Sequence, residues 1–156
     1  MKIGIISDSH DNVEAIKKAC GIIINAGCSL IIHAGDICSP FVAKVLKEAG
    51  VEVKAVFGNN DGDRVALSKM LDIRPVPRHL EVDGVTIVVF HEPFINDFID
   101  PQKVDLLVYG HTHQKGISYK DKMIVLNPGT VSGVLAETKS LAIFDTKERK
   151  VEFIEI

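Results

Sequence analysis

The chain has 156 residues, a length that favours one domain over two, so we expect residues 1–156 to form a single domain. Hydrophobic residues make up 46% of it, which suffices for a sizeable core and excludes disorder of the whole chain. The formal charge of −3, with 18 basic and 21 acidic residues interspersed, argues against a nucleic-acid groove or a polybasic membrane surface.

No apolar run is long enough to span a bilayer, and the first such run ends at Asp8, before a signal sequence could form. We therefore expect a cytoplasmic protein that does not bind membranes. The cysteines, Cys20, Cys28 and Cys38, include no C-x-x-C pair, and we expect reduced, packed thiols. Cys38 follows Asp36 closely, which leaves open a supporting role beside a site at Asp36.

The first half of the chain alternates between strand and helix patterns. Asn12 is a suitable N-cap for the first helix, and Pro40 and Gly50 mark the two ends of the second. Strand patterns cover residues 2–7, 30–34 and 51–57, and helix patterns cover residues 12–26 and 40–49. This βαβαβ order predicts a parallel sheet.

The second half is rich in strand patterns. After a short helical segment at residues 64–71, Pro75 and Pro77 interrupt the chain, and Asp83-Gly84 is a hairpin signal. Strand patterns cover residues 79–82, 86–90, 105–109, 116–119, 123–126, 141–145 and 151–156, with a loop at residues 91–101. The last strand is apolar enough to pack in the core or to pair with a second copy, and both alternatives are open.

Residue types that bind metals stand at the carboxyl ends of five predicted strands, namely Asp8, Asp36, Asn59, His91 and His111. His10 and His113 follow two of them. Singly, such residues are more often caps, turns or solvated histidines. Together they include four of the six histidines of the chain, and carboxyl ends of strands are where open α/β sheets place their sites. We therefore expect the seven side chains to converge.

These residues form the blocks Asp-x-His, Gly-Asp, Gly-Asn, His and Gly-His-x-His, in that order. The set resembles the calcineurin-like metallophosphoesterase superfamily, and the short chain is similar to its small phosphodiesterase branch. Residues 127–130 look like the Asn-Pro-Gly-Ser/Thr segment of that branch. The resemblance covers nearly the whole chain and implies an α/β fold of the α/β/β/α sandwich type, with two β-sheets packed face to face and flanked by helices.

The resemblance also implies a dinuclear metal centre. The first ion would be bound by Asp8, His10, Asp36 and His113, and the second by Asp36, Asn59, His91 and His111. Asp36 would bridge the ions, because a carboxylate reduces the repulsion between two cations. Ligands of this kind suit Mn²⁺, Fe²⁺, Zn²⁺ or Ni²⁺; the resemblance favours Mn²⁺, and four histidines disfavour Mg²⁺.

The implied reaction is hydrolysis of a small phosphoester, and of a phosphodiester in particular, by in-line attack of a hydroxide that bridges the two ions. Asp36, Asn59 and His111 are the catalytic residues implied. Many members of the superfamily carry a histidine after the metal-binding asparagine, where it protonates the leaving group. This chain has Asn60, which cannot donate a proton, so we expect diesters and activated esters rather than alkyl monoesters as substrates.

Two further departures concern the neighbourhood of the site. Glu92 follows His91 where the branch often has Gly-His; it could discourage a dianionic substrate, order a metal-bound water or be a solvated loop carboxylate. Whether Glu92 or a metal-bound water replaces the missing acid is open. A Pro-Arg pair is absent after residues 127–130, which removes one expected basic phosphate contact.

Alternative functions of the chain predict different sequence features. A non-catalytic protein-binding scaffold of the same fold predicts a damaged ligand set, whereas only the acid at Asn60 is missing here. A nuclease predicts a basic stripe, which the acidic balance does not provide. A nucleophilic Ser7 or Ser9 lacks a Gly-x-Ser-x-Gly setting.

We expect His33 to be a core histidine or to orient a ligand, and His79 to be exposed. The oligomeric state is open, a homo-oligomer included.

Overall fold

The computed structural model describes residues 1–93 and 98–156. Its strands are β1 (Lys2–Ile6), β2 (Leu30–His33), β3 (Glu52–Val56), β4 (Asp72–Arg74), β5 (Arg78–Val82), β6 (Val85–Val89), β7 (Leu106–Val108), β8 (Gly116–Lys120), β9 (Met123–Asn127), β10 (Ser140–Asp145) and β11 (Lys150–Glu155). Its helices are α1 (Val13–Asn25), α2 (Pro40–Glu48) and α3 (Arg64–Met70). Residues 94–97 of the predicted loop 91–101 lie outside the described residues.

The strands form two mixed sheets. The six-stranded sheet has the order β11-β10-β1-β2-β3-β4, in which β1 to β4 are parallel and β10 is antiparallel to both of its neighbours. The five-stranded sheet has the order β5-β6-β7-β9-β8, with β6, β7 and β9 parallel and an antiparallel strand at each edge. The parallel sheet predicted for the first half of the chain is confirmed.

The two sheets pack face to face. Ile5 and Ile32 of the first sheet lie in one buried cluster with Ile87 and Leu106 of the second. The three helices cover the opposite face of the six-stranded sheet, where their apolar residues form a second cluster with Ile6, Ile31 and Val53. The outer face of the five-stranded sheet carries a third cluster around Phe90. The predicted sandwich of two sheets with helices outside is therefore confirmed.

The central strands are apolar along their whole length because both of their faces are covered. In β1 the residues from Ile3 to Ile6 are all buried, with Ile3 and Ile5 towards the second sheet and Ile6 towards the helices. Gly4 lies between them on the helix side, and its missing side chain leaves room for Ile23 of α1. Helix α1 therefore packs closely against β1, and β1 ends directly before the turn that contains Asp8.

Most element boundaries follow the sequence patterns within one or two residues. Asn12 caps α1 by accepting a hydrogen bond from the backbone N–H of Ala15, and Asp83-Gly84 forms the two-residue hairpin turn between β5 and β6, with φ of 51° and 74°. No sequence pattern indicated β4. This strand has three residues and one buried apolar side chain, Ile73, so only its pairing with β3 reveals it.

The last strand, β11, lies at the edge of the six-stranded sheet. Val151 and Phe153 pack against the cluster between the sheets, and Ile154 packs against the cluster under the helices, as the core alternative predicts. Cys20 and Cys28 are buried and all three cysteines are free; burial raises the pKa of Cys20 to about 11. Within residues 1–93 and 98–156, no helix has the length and apolar character needed to cross a bilayer.

Replacing Gly4 by Ala should destabilise the fold. The new Cβ would lie 2.7 Å from three side-chain atoms of Ile23, and overpacking of this kind costs about 1–3 kcal/mol. The control is Gly21→Ala, in the same helix as Ile23, where an added Cβ meets nothing within 4 Å and should stabilise by roughly 0.5–1 kcal/mol. Urea denaturation measures both; equal stability of the two variants would contradict the close packing.

Candidate metal centre

The predicted ligand residues lie together at the carboxyl ends of the parallel strands. Both sheets contribute, since Asp8, Asp36 and Asn59 follow β1, β2 and β3, whereas His91 and His111 follow β6 and β7. The groups are linked across the sheets: the backbone N–H of His111 donates to Asp8 Oδ2 at 3.0 Å. The structure brings all seven residues into one site, as the sequence analysis predicts.

One half of the site contains Asp8, His10 and His113. Asp8 Oδ1 lies 3.3 Å from His113 Nε2 and 3.8 Å from His10 Nε2, and the two Nε2 atoms are 3.2 Å apart. Asp36 Oδ2 is 3.6 Å from His10 Nε2. The three side chains thus point their donor atoms at one small volume, which is the arrangement that a cation needs.

The other half contains Asp36, Asn59, His91 and His111. His91 donates through Nδ1 to the backbone carbonyl of Ala34 at 2.8 Å, so its Nε2 faces the site, 3.4 Å from Asp36 Oδ2. Asn59 Oδ1 lies 2.9 Å from His91 Nε2 and 2.9 Å from His111 Nδ1. Asp8, Asp36 and His91 also present ligand atoms within 4.8 Å of one another, so the carboxylates lie between the two halves.

The buried carboxylates fit a site for cations. Asp8 is fully buried, and its Oδ1 has no hydrogen-bond partner among the described residues. A buried carboxylate oxygen without a partner is costly unless positive charge satisfies it. This unpartnered oxygen points at the imidazoles of His10 and His113, where a divalent ion would supply that charge. The donor set therefore fits a metal ion.

Burial and the neighbouring polar groups shift the pKa values of Asp36 and His91 in opposite directions. Burial raises the pKa of Asp36, but hydrogen bonds from His91 and Asn60 outweigh it and hold this pKa well below its usual range. Burial lowers the pKa of His91, and Asp36 outweighs that effect and raises it to about 9. Because a metal binds neutral imidazole, a cation held through His91 Nε2 must replace a proton there.

The turns that carry the ligands are in an unfavourable backbone conformation. Five of the seven predicted ligands have positive φ: Asp8 (52°), His10 (38°), Asp36 (59°), His111 (67°) and His113 (60°). The left-handed region costs a non-glycine residue about 1–2 kcal/mol. Backbone hydrogen bonds from Asp8 to Gly35 and from His10 to Asp36 hold two of these turns against each other. The strain is therefore concentrated at the site.

Two glycines allow the turns to approach closely. A Cβ on Gly58 would overlap Asp36 Oδ1, and one on Gly110 would overlap Ser7 Oγ and lie 2.8 Å from Asp8 Oδ2. A side chain at either position would displace a predicted ligand. The Gly-Asn and Gly-His parts of the motif therefore reflect the space between neighbouring turns.

Asp61 is a buried residue to which the sequence analysis assigned no role. Its carboxylate accepts backbone hydrogen bonds from Asp36 (3.2 Å), Cys38 (2.7 Å) and Gly58 (2.7 Å). It thereby ties the turn after β2 to the turn after β3. The only sequence signal is its position two residues after Asn59, because the three N–H groups meet only in the folded chain.

Other side chains orient the imidazoles. His113 donates through Nδ1 to the backbone carbonyl of Val134 at 2.5 Å, and Cys38 Sγ lies 3.6 Å from His10 Nδ1. Cys38 thus lies beside the site, the role that its place in the sequence left open. Asn127 donates through Nδ2 to the Gly110 carbonyl and to the Thr112 hydroxyl, which holds the Gly-His-x-His turn.

His33 is a core histidine that contacts the site. It is fully buried, and burial lowers its pKa to about 4. Its Nδ1 accepts a hydrogen bond from the Gly35 N–H, so its Nε2 carries the proton and donates to Ser9 Oγ at 3.0 Å. Ser9 in turn donates to the Asp36 carbonyl at 3.4 Å. His33 is thus a core histidine, one of its two predicted roles, and it reaches the Asp36 backbone through Ser9. His79 is exposed on β5, as predicted.

Asn60 is exposed and binds Asp36 twice. Its backbone N–H donates to Asp36 Oδ1 at 2.8 Å, and its side-chain Nδ2 donates to Asp36 Oδ2 at 2.7 Å. It therefore lies at the centre as a hydrogen-bond donor without a transferable proton. Glu92 is partly exposed next to His91.

Comparisons with known proteins agree with this geometry. The family model for the calcineurin-like phosphoesterase superfamily domain matches residues 1–149. Phosphodiesterase MJ0936 of Methanocaldococcus jannaschii is 33% identical over 159 residues, which cover 96% of each protein. The solved structure of an archaeal phosphodiesterase has a TM-score of 0.92 at 30% identity, with complete coverage of both chains. Vps29 of Entamoeba histolytica, solved with zinc, shares the fold, with a TM-score of 0.74, 18% identity and 99% coverage of both chains.

Replacing Asp61 by Asn should weaken metal binding. The new NH₂ group would face a backbone N–H that the carboxylate now accepts from, the turns would relax, and loss of such a supporting contact typically costs about 10–100-fold in metal affinity. The matched control is Asp63→Asn, the same charge change on an exposed residue that caps α3. Calorimetric titration with Mn²⁺ measures both variants, and equal affinities would contradict the role of Asp61.

Proposed function

The chain belongs to the calcineurin-like phosphoesterase superfamily, and we propose from this membership that it hydrolyses small phosphodiesters with two divalent metal ions. One observation carries the proposal: two buried carboxylates, one with an unpartnered oxygen, meet four imidazoles and an amide at one edge of the sheets. Phosphodiesterase MJ0936, at 33% identity over nearly its full length, supports a diester as substrate.

We assign the ligands as two overlapping groups. One ion would be held by Asp8, His10, Asp36 and His113, and the other by Asp36, Asn59, His91 and His111. Asp36 would be the bridging ligand, and this is supported by its Oδ2, which lies 3.6 Å from His10 Nε2 and 3.4 Å from His91 Nε2. Divalent ions supply positive charge that polarises phosphoryl oxygens and lowers the pKa of water, and Mn²⁺ is the ion that we favour.

The residues of the chain orient and select the substrate. Asn59, His111 and Asn60 lie at the accessible side of the centre, whereas Asp8, Asp36 and His91 are buried below them. An approaching phosphoryl group therefore meets amide and imidazole donors first. Because Asn60 donates hydrogen bonds but no proton, the leaving group must depart without an acid from this position. This favours diesters and esters with acidic leaving groups.

We propose that residues 1–156 act as one domain, since both sheets contribute ligands to the same site. We retain the cytoplasm as the location, because the three free cysteines suit a reducing compartment. A binding scaffold and a nuclease are not favoured. The seven ligand positions are intact, and the acidic charge balance does not suit a nucleic-acid partner.

The first test compares hydrolysis of bis-p-nitrophenyl phosphate and p-nitrophenyl phosphate by chelator-treated protein, before and after addition of Mn²⁺, Ni²⁺, Zn²⁺ or Mg²⁺. We expect a transition metal to restore activity, with the diester preferred. Asp36→Asn should abolish turnover and leave a folded protein, because it removes the bridging charge. Circular dichroism checks the fold. Absence of turnover with every metal, in folded and metal-loaded protein, would favour the scaffold.

Replacing Asn60 by His tests why diesters are preferred. An imidazole at this position places a proton donor beside Asp36, so monoester activity should rise relative to diester activity, by roughly 10²-fold or more for a well-placed general acid. Asn60→Gln is the control, since it keeps an amide without a proton to give. The ratio of the two kcat/KM values is the measurement, and an unchanged ratio in Asn60→His would exclude the missing acid as the cause.

A further inference from the structure

A polar cavity of about 350 Å³ opens beside His113, outside the predicted ligand set. Gln114 and Lys115 form one wall, residues 135–138 form the other, and the buried Ser140 lies at the junction. The cavity lies at the same edge as the metal centre for a topological reason. Strand β10 runs antiparallel to β1, and β8 runs antiparallel to β9. Because β1 and β9 end at the edge that carries the metal centre, β8 and β10 begin at that edge.

The cavity shares a wall with the metal centre. His113 presents Nε2 to Asp8 and donates through Nδ1 to the carbonyl of Val134, directly before the cavity segment. Leu135, the next residue, has φ of 54° and an 87% exposed side chain at the rim. The imidazole of His113 therefore borders both spaces, so the cavity begins one side chain away from the metal centre.

The lining indicates a neutral, hydroxyl-bearing group. Lys115 is paired with Glu155 at 2.6 Å, and Glu137 adds a further acid, so a second anionic group would be repelled. Gln114, Thr138 and Glu137 offer both donors and acceptors, as hydroxyl groups require. Leu135 adds an apolar contact for the face of a ring.

The volume of the cavity limits the size of the group that it can bind. A volume of about 350 Å³ is at the low end of the roughly 300–1,000 Å³ of small-molecule pockets. It accommodates one ring-sized substituent with its hydroxyl groups, and it is too small for an extended chain.

We propose that this cavity is a substrate subsite that binds the ester group retained on the phosphate, and that this group presents a neutral, hydroxyl-bearing ring such as the sugar of a nucleoside. The proposal rests on the phosphodiesterase function proposed above and adds the class of substrate. The metal centre acts on the phosphate, and the cavity beside His113 distinguishes diesters by the group that is not released.

Two diesters with the same leaving group test the subsite. Thymidine 5′-(p-nitrophenyl phosphate) and methyl p-nitrophenyl phosphate both release p-nitrophenolate, so their kcat/KM ratio reports the retained group. We expect the nucleoside diester to be preferred by about tenfold or more. Ala136→Trp, which fills the cavity, should lower this ratio by about tenfold. Thr138→Val, which removes one hydroxyl at nearly constant size, should lower it about 2–10-fold.

The controls separate the subsite from the catalytic centre. Val65→Trp places the same side chain on the exposed surface of α3 and should leave both kcat/KM values unchanged. Calorimetric titration with Mn²⁺ should show the same affinity in every variant, since none replaces a ligand. An equal rate for the two diesters in the unmodified protein, or an unchanged ratio in both cavity variants, would overturn the subsite alone. Hydrolysis of neither diester with any metal would overturn the proposed function and the subsite with it.

Discussion

The structure depends on holding two carboxylates close together in a buried position. Asp8 and Asp36 are almost completely buried, and isolated anions in such positions are strongly unfavourable. Positive charge from a metal ion, which the donor set fits, would offset that cost. The strained turns, the close approach of the glycines and the buried Asp61 all serve to hold these two groups at one place.

The face-to-face sandwich explains how one edge collects so many ligands. Parallel strands direct their carboxyl ends to the same side, and here two sheets align such ends next to each other. The six-stranded sheet contributes the two buried carboxylates and Asn59, whereas the five-stranded sheet contributes His91, and His111 and His113 follow β7. The core between the sheets thus sets the distance between the carboxylates and the imidazoles that face them.

The differences from the family pattern lie next to the predicted metal ligands rather than among them. Asn60 donates two hydrogen bonds to Asp36 and lacks the transferable proton of a histidine. The segment after residues 127–130, which lacks a basic pair, instead orients His113 through the Val134 carbonyl and forms one wall of the polar cavity. In the functions proposed above, recognition of the phosphate and recognition of its substituent would belong to neighbouring loops.

Local signals in the sequence were sufficient to predict the helices, most of the strands and the convergence of the seven side chains. Asn12, Pro40 and Asp83-Gly84 act on the backbone at or next to their own positions, and the predicted ligands stand next to apolar runs with the pattern of buried strands. The strand β4, the role of Asp61, the contact of Cys38 with His10 and the cavity beside His113 were decided by tertiary structure. Each depends on groups far apart in the chain that meet only when the two sheets and their turns pack, so no local pattern encodes them.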